Sequence, residues 1–117
     1  LGEQLFKEME MTTEQQIKIL ECAAKACGLE KAPVFSDGSR DIAMRNRWNP
    51  LISPADCAEM CAELKINTFH WPDAVACDTN FPQRLGAEAS LKDHDNSRLK
   101  AWMYAATMVA AKIGGLK

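Results

Sequence analysis

The stretch Trp48-Asn49-Pro50-Leu51-Ile52-Ser53-Pro54-Ala55-Asp56 holds the end of a strand, a turn and the start of a capped helix. Pro50 lacks a backbone donor and pushes Asn49 toward extended backbone. Ser53 is placed to cap a helix that Pro54 opens at its first position, with Asp56 as the reciprocal capping-box partner. That helix runs from about residue 54 to 64 and turns Cys57, Cys61 and Leu64 to one side, with Met60 beside them.

Upstream of this stretch the pattern alternates. Val34 and Phe35 precede Asp37-Gly38, a type I′ hairpin signal, after which Ile42, Met44, Asn46 and Trp48 alternate with Ala43, Arg45 and Arg47. Further back, a helix begins at Thr12 or Thr13, each with a glutamine three residues on, and ends at Gly28. Its apolar face is Ile17, Leu20, Ala24 and Cys27.

Downstream, residues 66–71 and 74–79 flank Pro72-Asp73 and predict a second hairpin. Between residues 80 and 95 periodicity disappears. Such a link is mobile or functional, or it hides a short helix around residues 87–91. The last helix is capped by Asp95 or Asn96, repeats Leu99, Trp102, Met103, Ala106, Val109, Ala110 and Ile113, and stops at Gly114-Gly115. Strands that arrive in adjacent pairs cannot build a parallel doubly wound sheet. The expected class is α+β, sandwich-like, with about three helices packed on an antiparallel sheet of about four strands in two hairpins.

The chain of 117 residues fits one domain, expected over residues 11–117. Residues 1–10 precede an ordinary methionine start at Met11, yet Leu1, Leu5 and Met9 recur at helical spacing. They are read either as leader or appended sequence or as an N-terminal helical extension. A net charge of -2 and a pI near 5.7 remove the main electrostatic argument for binding nucleic acid or anionic membrane. No apolar run is long enough to span a bilayer. Five cysteines, several of them among alanines on predicted helices, suit a reducing compartment, so a cytoplasmic location is expected.

Few residues suggest chemistry. Cys57, Cys61, His70 and Cys77 are soft metal ligands, but their spacing is poor for zinc and the cysteine stripe belongs to a core face. Cys77 with His70 is the one thiol-imidazole pair that a hairpin brings to one face, with Asp73 or Asp78 to orient it; a buried cysteine beside a half-exposed histidine is the preferred account. Asp93-His94-Asp95-Asn96 suits a hard cation less well than it suits a helix cap. No phosphate-binding loop or paired Glu/His helix motif is present, so neither catalysis, metal nor cofactor is expected.

Arg40, Arg45 and Arg47 near Trp48 have the composition of a single-strand nucleic-acid groove or a protein hot spot, diluted by Asp37 and Asp41. Alternation alone explains them, with Arg45 and Arg47 outward and Met44 and Trp48 inward. Trp71, beside Pro72-Asp73 at a hairpin tip, is harder to bury and is the best single contact candidate. The candidate partner-binding set is Trp71, Asp73, Arg45, Arg47, Trp48 and Arg84, with the 80–95 loop adjoining.

Trp48-Asn49-Pro50-Leu51 with its short helix, the closing Ala105-Ala106-Thr107-Met108-Val109-Ala110-Ala111-Lys112-Ile113-Gly114, and Ala23-Ala24-Lys25-Ala26-Cys27-Gly28-Leu29 together resemble small proteins of tailed phages and prophages. The likeness covers residues 11–114 and is to the phage α/β/α-sandwich type, a type without a settled activity. Those proteins often carry an acidic run after W-N-P-L, where this chain has Ile52-Ser53-Pro54-Ala55-Asp56. No ligand contact through that run is therefore carried over. The resemblance implies a small accessory protein that binds a host or phage protein, including host defence factors. Non-enzymatic protein-protein contact is therefore expected, with a homo-oligomer as a further form of it. Alternatives are a nucleic-acid binder using the Arg/Trp patch and a cysteine or zinc enzyme.

Overall fold

A computed structural model of the chain describes residues 12–42, 47–80 and 83–117. In order, its elements are α1 (Thr13–Ala26), β1 (Arg40–Asp41), β2 (Arg47–Trp48), α2 (Pro54–Leu64), β3 (Asn67–His70), β4 (Ala74–Thr79), β5 (Leu85–Ser90), a 3₁₀ turn (Leu91–His94) and α3 (Arg98–Ile113). The architecture is α+β: three helices with two antiparallel sheets, β1-β2 and β3-β4-β5. Among the described residues there are five strands, where about four were expected. The helical spacing of residues 1–10 and the alternation over residues 43–46 lie outside the described residues.

The middle of the molecule is α3. Ala101, Ala105, Ala106, Ala110 and Ala111 are fully buried, as is Val109. A helix buried around most of its circumference needs cover on more than one side. Here β4 and β5 lie against α3 on the sheet side, and α1 and α2 also pack on it. Small side chains let these neighbours approach. The approach is tight at the helix end, where a Cβ on Gly114 would sit 1.8 Å from the Cys22 carbonyl oxygen. The carbonyls of Ala110, Ala111 and Lys112 are taken up by the amides of Gly114, Leu116 and Gly115.

Each helix start follows local chemistry. Thr12 and Gln15 form a capping box, with bonds of 3.1 and 2.9 Å between side chain and backbone in both directions. Ser53 accepts from the Asp56 amide. Asp56 does not return the bond to Ser53 as expected; its carboxylate reaches back to the buried Asn49 amide at 2.9 Å. Asn49 in turn accepts from the Leu51 amide through its side chain, an Asx turn around Pro50. Trp48, Asn49 and Pro50 are all buried, so these three residues form a structural knot between β2 and α2.

Two further expectations need correction. Ser97, not Asp95 or Asn96, caps α3, accepting from the Lys100 amide. An N-cap requires extended backbone, whereas Asp95 and Asn96 both sit at φ 55, in the turn that leaves the 3₁₀ segment. Residues 85–90, expected to be loop or a short helix, form β5. Leu-Gly-Ala-Glu-Ala-Ser carries no strand propensity of its own, but all six residues pair with β4, and Ala89 is buried against the core. The Asp37-Gly38 turn exists, closed by Phe35 N–H to Ser39 O at 2.9 Å, but its arms are joined only by an isolated bridge between Val34 and Arg40; the two-residue strands β1 and β2 pair with each other and not across this turn.

Candidate functional site

The β3-β4 hairpin carries the most exposed aromatic surface among the described residues. Thr68 pairs with Cys77 and His70 with Val75, so these four share the face turned to α3. Alternation puts Phe69 on the opposite face and Trp71 at the tip on the same side. Phe69 is 47% and Trp71 53% exposed. Single exposed apolar residues are ordinary, but two on one side of an edge hairpin are not scattered.

The tip is held from behind. Trp71 N–H donates to Ala74 O at 2.9 Å, closing the turn through Pro72 and Asp73. Arg98, in the first turn of α3, donates through Nη2 to the carbonyls of Trp71 (2.8 Å) and Pro72 (3.2 Å), while its Nη1 lies 3.4 Å from His70 Nδ1. On the other side, Leu91 N–H donates to Asp73 O. Charge-assisted bonds to two successive carbonyls fix the backbone of the tip and leave the indole outside. Leu99, next to Arg98 on α3, is 49% exposed.

The other candidate residues do not join this surface. Trp48 is 4% exposed and belongs to the core, so it cannot meet a partner. Arg47 is exposed, but its guanidinium lies 4.1 Å over the Phe35 ring and 3.6 Å from Asp37. The Asp37 carboxyl is held below its ordinary value of 3.8, chiefly by the Ser39 hydroxyl and amide. Arg45 lies outside the described residues. Arg84 is exposed just before β5, whose Leu85 pairs with Thr79, at the end of the sheet away from Trp71. The length of β4 separates the two by about 17 Å. Arg40 is buried, so the arginines near Trp48 form no continuous basic surface among the described residues.

The cysteines are free and lie in or beside the core. Cys57 hydrogen-bonds to Cys61, which holds the Cys57 thiol well above its ordinary range and lowers that of Cys61. Burial pushes Cys77 and Cys27 up to about 11. The Cys77 sulfur is 3.6 Å from the Thr68 hydroxyl, and that hydroxyl also accepts from Trp102 Nε1 at 3.1 Å. His70 shares the sheet face of Cys77 but engages Arg98 instead. Among the described residues, no group of three or more His, Cys, Asp or Glu side chains is placed to hold a metal ion. His94 packs against Tyr104 with centroids 4.8 Å apart, and burial lowers its pKa.

Compared with known proteins, the chain matches no family model, no curated protein and no solved structure. Sequence reasoning missed Phe69 and Arg98. The alternation of residues 67–70 with Trp71 was the available signal for Phe69, whereas Arg98 sits 27 residues from Trp71 and gave no local sign. No helix among the described residues is long and apolar enough to cross a membrane.

Proposed function

We propose that this chain is a non-enzymatic accessory protein of a phage or prophage that acts by binding a protein of the bacterial host or of the phage, in the host cytoplasm. The observation that carries the binding reading is the pinned hairpin tip: a half-exposed Trp71 on a backbone fixed by Arg98 and Leu91, with Phe69 exposed on the same side. An aromatic anchor whose backbone is already ordered loses little entropy on docking, which is what hot-spot residues require. Five free cysteines agree with a reducing location. The phage attribution rests on the resemblance of the W-N-P-L segment and the alanine-rich closing helix, and modulation or inhibition of a host defence factor is one of the forms of action it includes.

Affinity capture from a lysogenic or infected host, with wild type and Trp71→Ala side by side, tests the reading. The wild type retains a partner that the variant loses, with affinity weakened by about 2 kcal/mol or ~30-fold, the scale of a hot-spot truncation. Identical partners and affinities for both proteins would remove the tip as the binding surface. If size-exclusion chromatography shows a dimer that Trp71→Ala dissociates, the partner is a second copy.

A further inference from the structure

Away from the hairpin tip, a cleft of about 820 Å³ opens between α1, the loop after it and the end of α3. Its volume is within the range of small-molecule sites. Lys18, Lys25, Lys31 and Arg40 line it against only two carboxylates, Glu21 and Glu30. Ile17 and Val34 supply apolar wall.

Arg40 is the unusual member. It is 4% exposed, yet no carboxylate among the described residues forms an ion pair with it. Nη1 donates to the Glu30 and Ala32 carbonyls at 3.3 and 3.2 Å, and Nε, buried, has no acceptor. Removing a guanidinium from water without an opposite charge is costly, and removing a donor without an acceptor adds to the cost. Exposed lysines are indifferent by themselves. A buried, uncompensated arginine on the wall of a basic cleft is a charge that an anion would complete.

We propose that this cleft binds a phosphorylated small molecule of about nucleotide size, with Arg40 as the buried anchor, Lys18, Lys25 and Lys31 closing on the phosphate oxygens, and Ile17 and Val34 packing against the organic part. Phosphate is favoured over a single carboxylate because four cationic residues line the cleft, and guanidinium with ammonium groups suits an oxyanion carrying more than one negative charge. The two glutamates bias the site toward ligands with a donor-bearing organic portion. The site is independent of the proposed protein contact, because α1 and the loop after it take no part in the hairpin tip.

The test is an NMR titration of the intact protein with pyrophosphate, ADP and, as a carboxylate control, citrate. The Arg40 Nε–H resonance and the amides around Lys18 and Lys25 report on the cleft. Expected are a shift of the Arg40 Nε–H with ADP and pyrophosphate at a Kd below about 1 mM, ADP the tighter, and a loss of about tenfold in affinity in Lys25→Ala/Lys31→Ala. Both lysines are exposed, so that variant keeps the fold. An unmoved Arg40 resonance overturns the proposal, showing that the guanidinium serves only the Glu30 and Ala32 carbonyls. Equal response to citrate, or indifference to the double substitution, overturns it as well, because either denotes general charge screening.

Discussion

At the scale of single residues, the thiols divide by their surroundings. Cys57 and Cys77 are buried, and both have pKa values raised by burial or by the bond that keeps the proton on Cys57. Cys61, half-buried, accepts the Cys57 hydrogen bond and ionises more readily than an ordinary thiol. The thiolate is the reacting species, so reactivity at neutral pH follows the ionised fraction and access together. Iodoacetamide added to the native protein should therefore modify Cys61 ahead of Cys57 and Cys77, as read by peptide mass mapping. The sign is testable by substitution: Cys57→Ala removes the donor, returns the Cys61 pKa upward and slows its modification several-fold at pH 7. Cys57 reacting first would show that the hydrogen bond runs the other way.

At the scale of elements, most of the fold was legible where pattern and capping agree. Helix α1 has its Thr12-Gln15 box and its Gly28 stop, α2 has Ser53 and Pro54, and α3 has its long apolar repeat and glycine end. The β3-β4 hairpin followed from Pro72-Asp73. Strand β5 was not legible, because Gly86, Ala87 and Ala89 owe their conformation to β4 and not to propensity. The role of Asp56 was half legible: its spacing marked a cap, but its acceptor serves Asn49, seven residues back. Burial decides which partner matters more. Asp56→Ala leaves the buried Asn49 amide without an acceptor and should cost about 1 to 3 kcal/mol, whereas Ser53→Ala should cost about 1 kcal/mol. Asp56→Asn keeps an acceptor oxygen and should recover much of the loss. Urea denaturation of the three variants ranks them, and equal losses for Ser53→Ala and Asp56→Ala would leave the Asn49 bond without energetic weight.

At the scale of the whole molecule, the candidate site was legible only in part, for one reason. Exposure of Trp71 follows from a hairpin tip, but the latch from Arg98 and the burial of Arg40 arise from tertiary contacts that no local pattern carries. An arginine is by default a surface residue, and the carbonyls that hold Arg40 belong to an irregular loop. The same long-range logic gives Gly114 its weight, because it lies where α1 and α3 meet. Its φ of -79 is ordinary for any residue, so its need for glycine is purely a matter of space against Cys22 O. Gly28 is the converse: φ 75 with nothing within 4 Å of an added Cβ. Gly28→Ala should therefore cost only the left-handed backbone penalty, about 1 to 2 kcal/mol. Gly114→Ala must push the two helices apart and should cost about 3 kcal/mol, the upper part of the overpacking range. Because α3 supports both the sheet and α1, that separation should lower the midpoint of a single cooperative transition, seen alike by near-UV and far-UV circular dichroism. A Gly114→Ala protein no less stable than Gly28→Ala would mean that the α1-α3 joint yields without loss, and that the packing around α3 does not govern the stability of the chain.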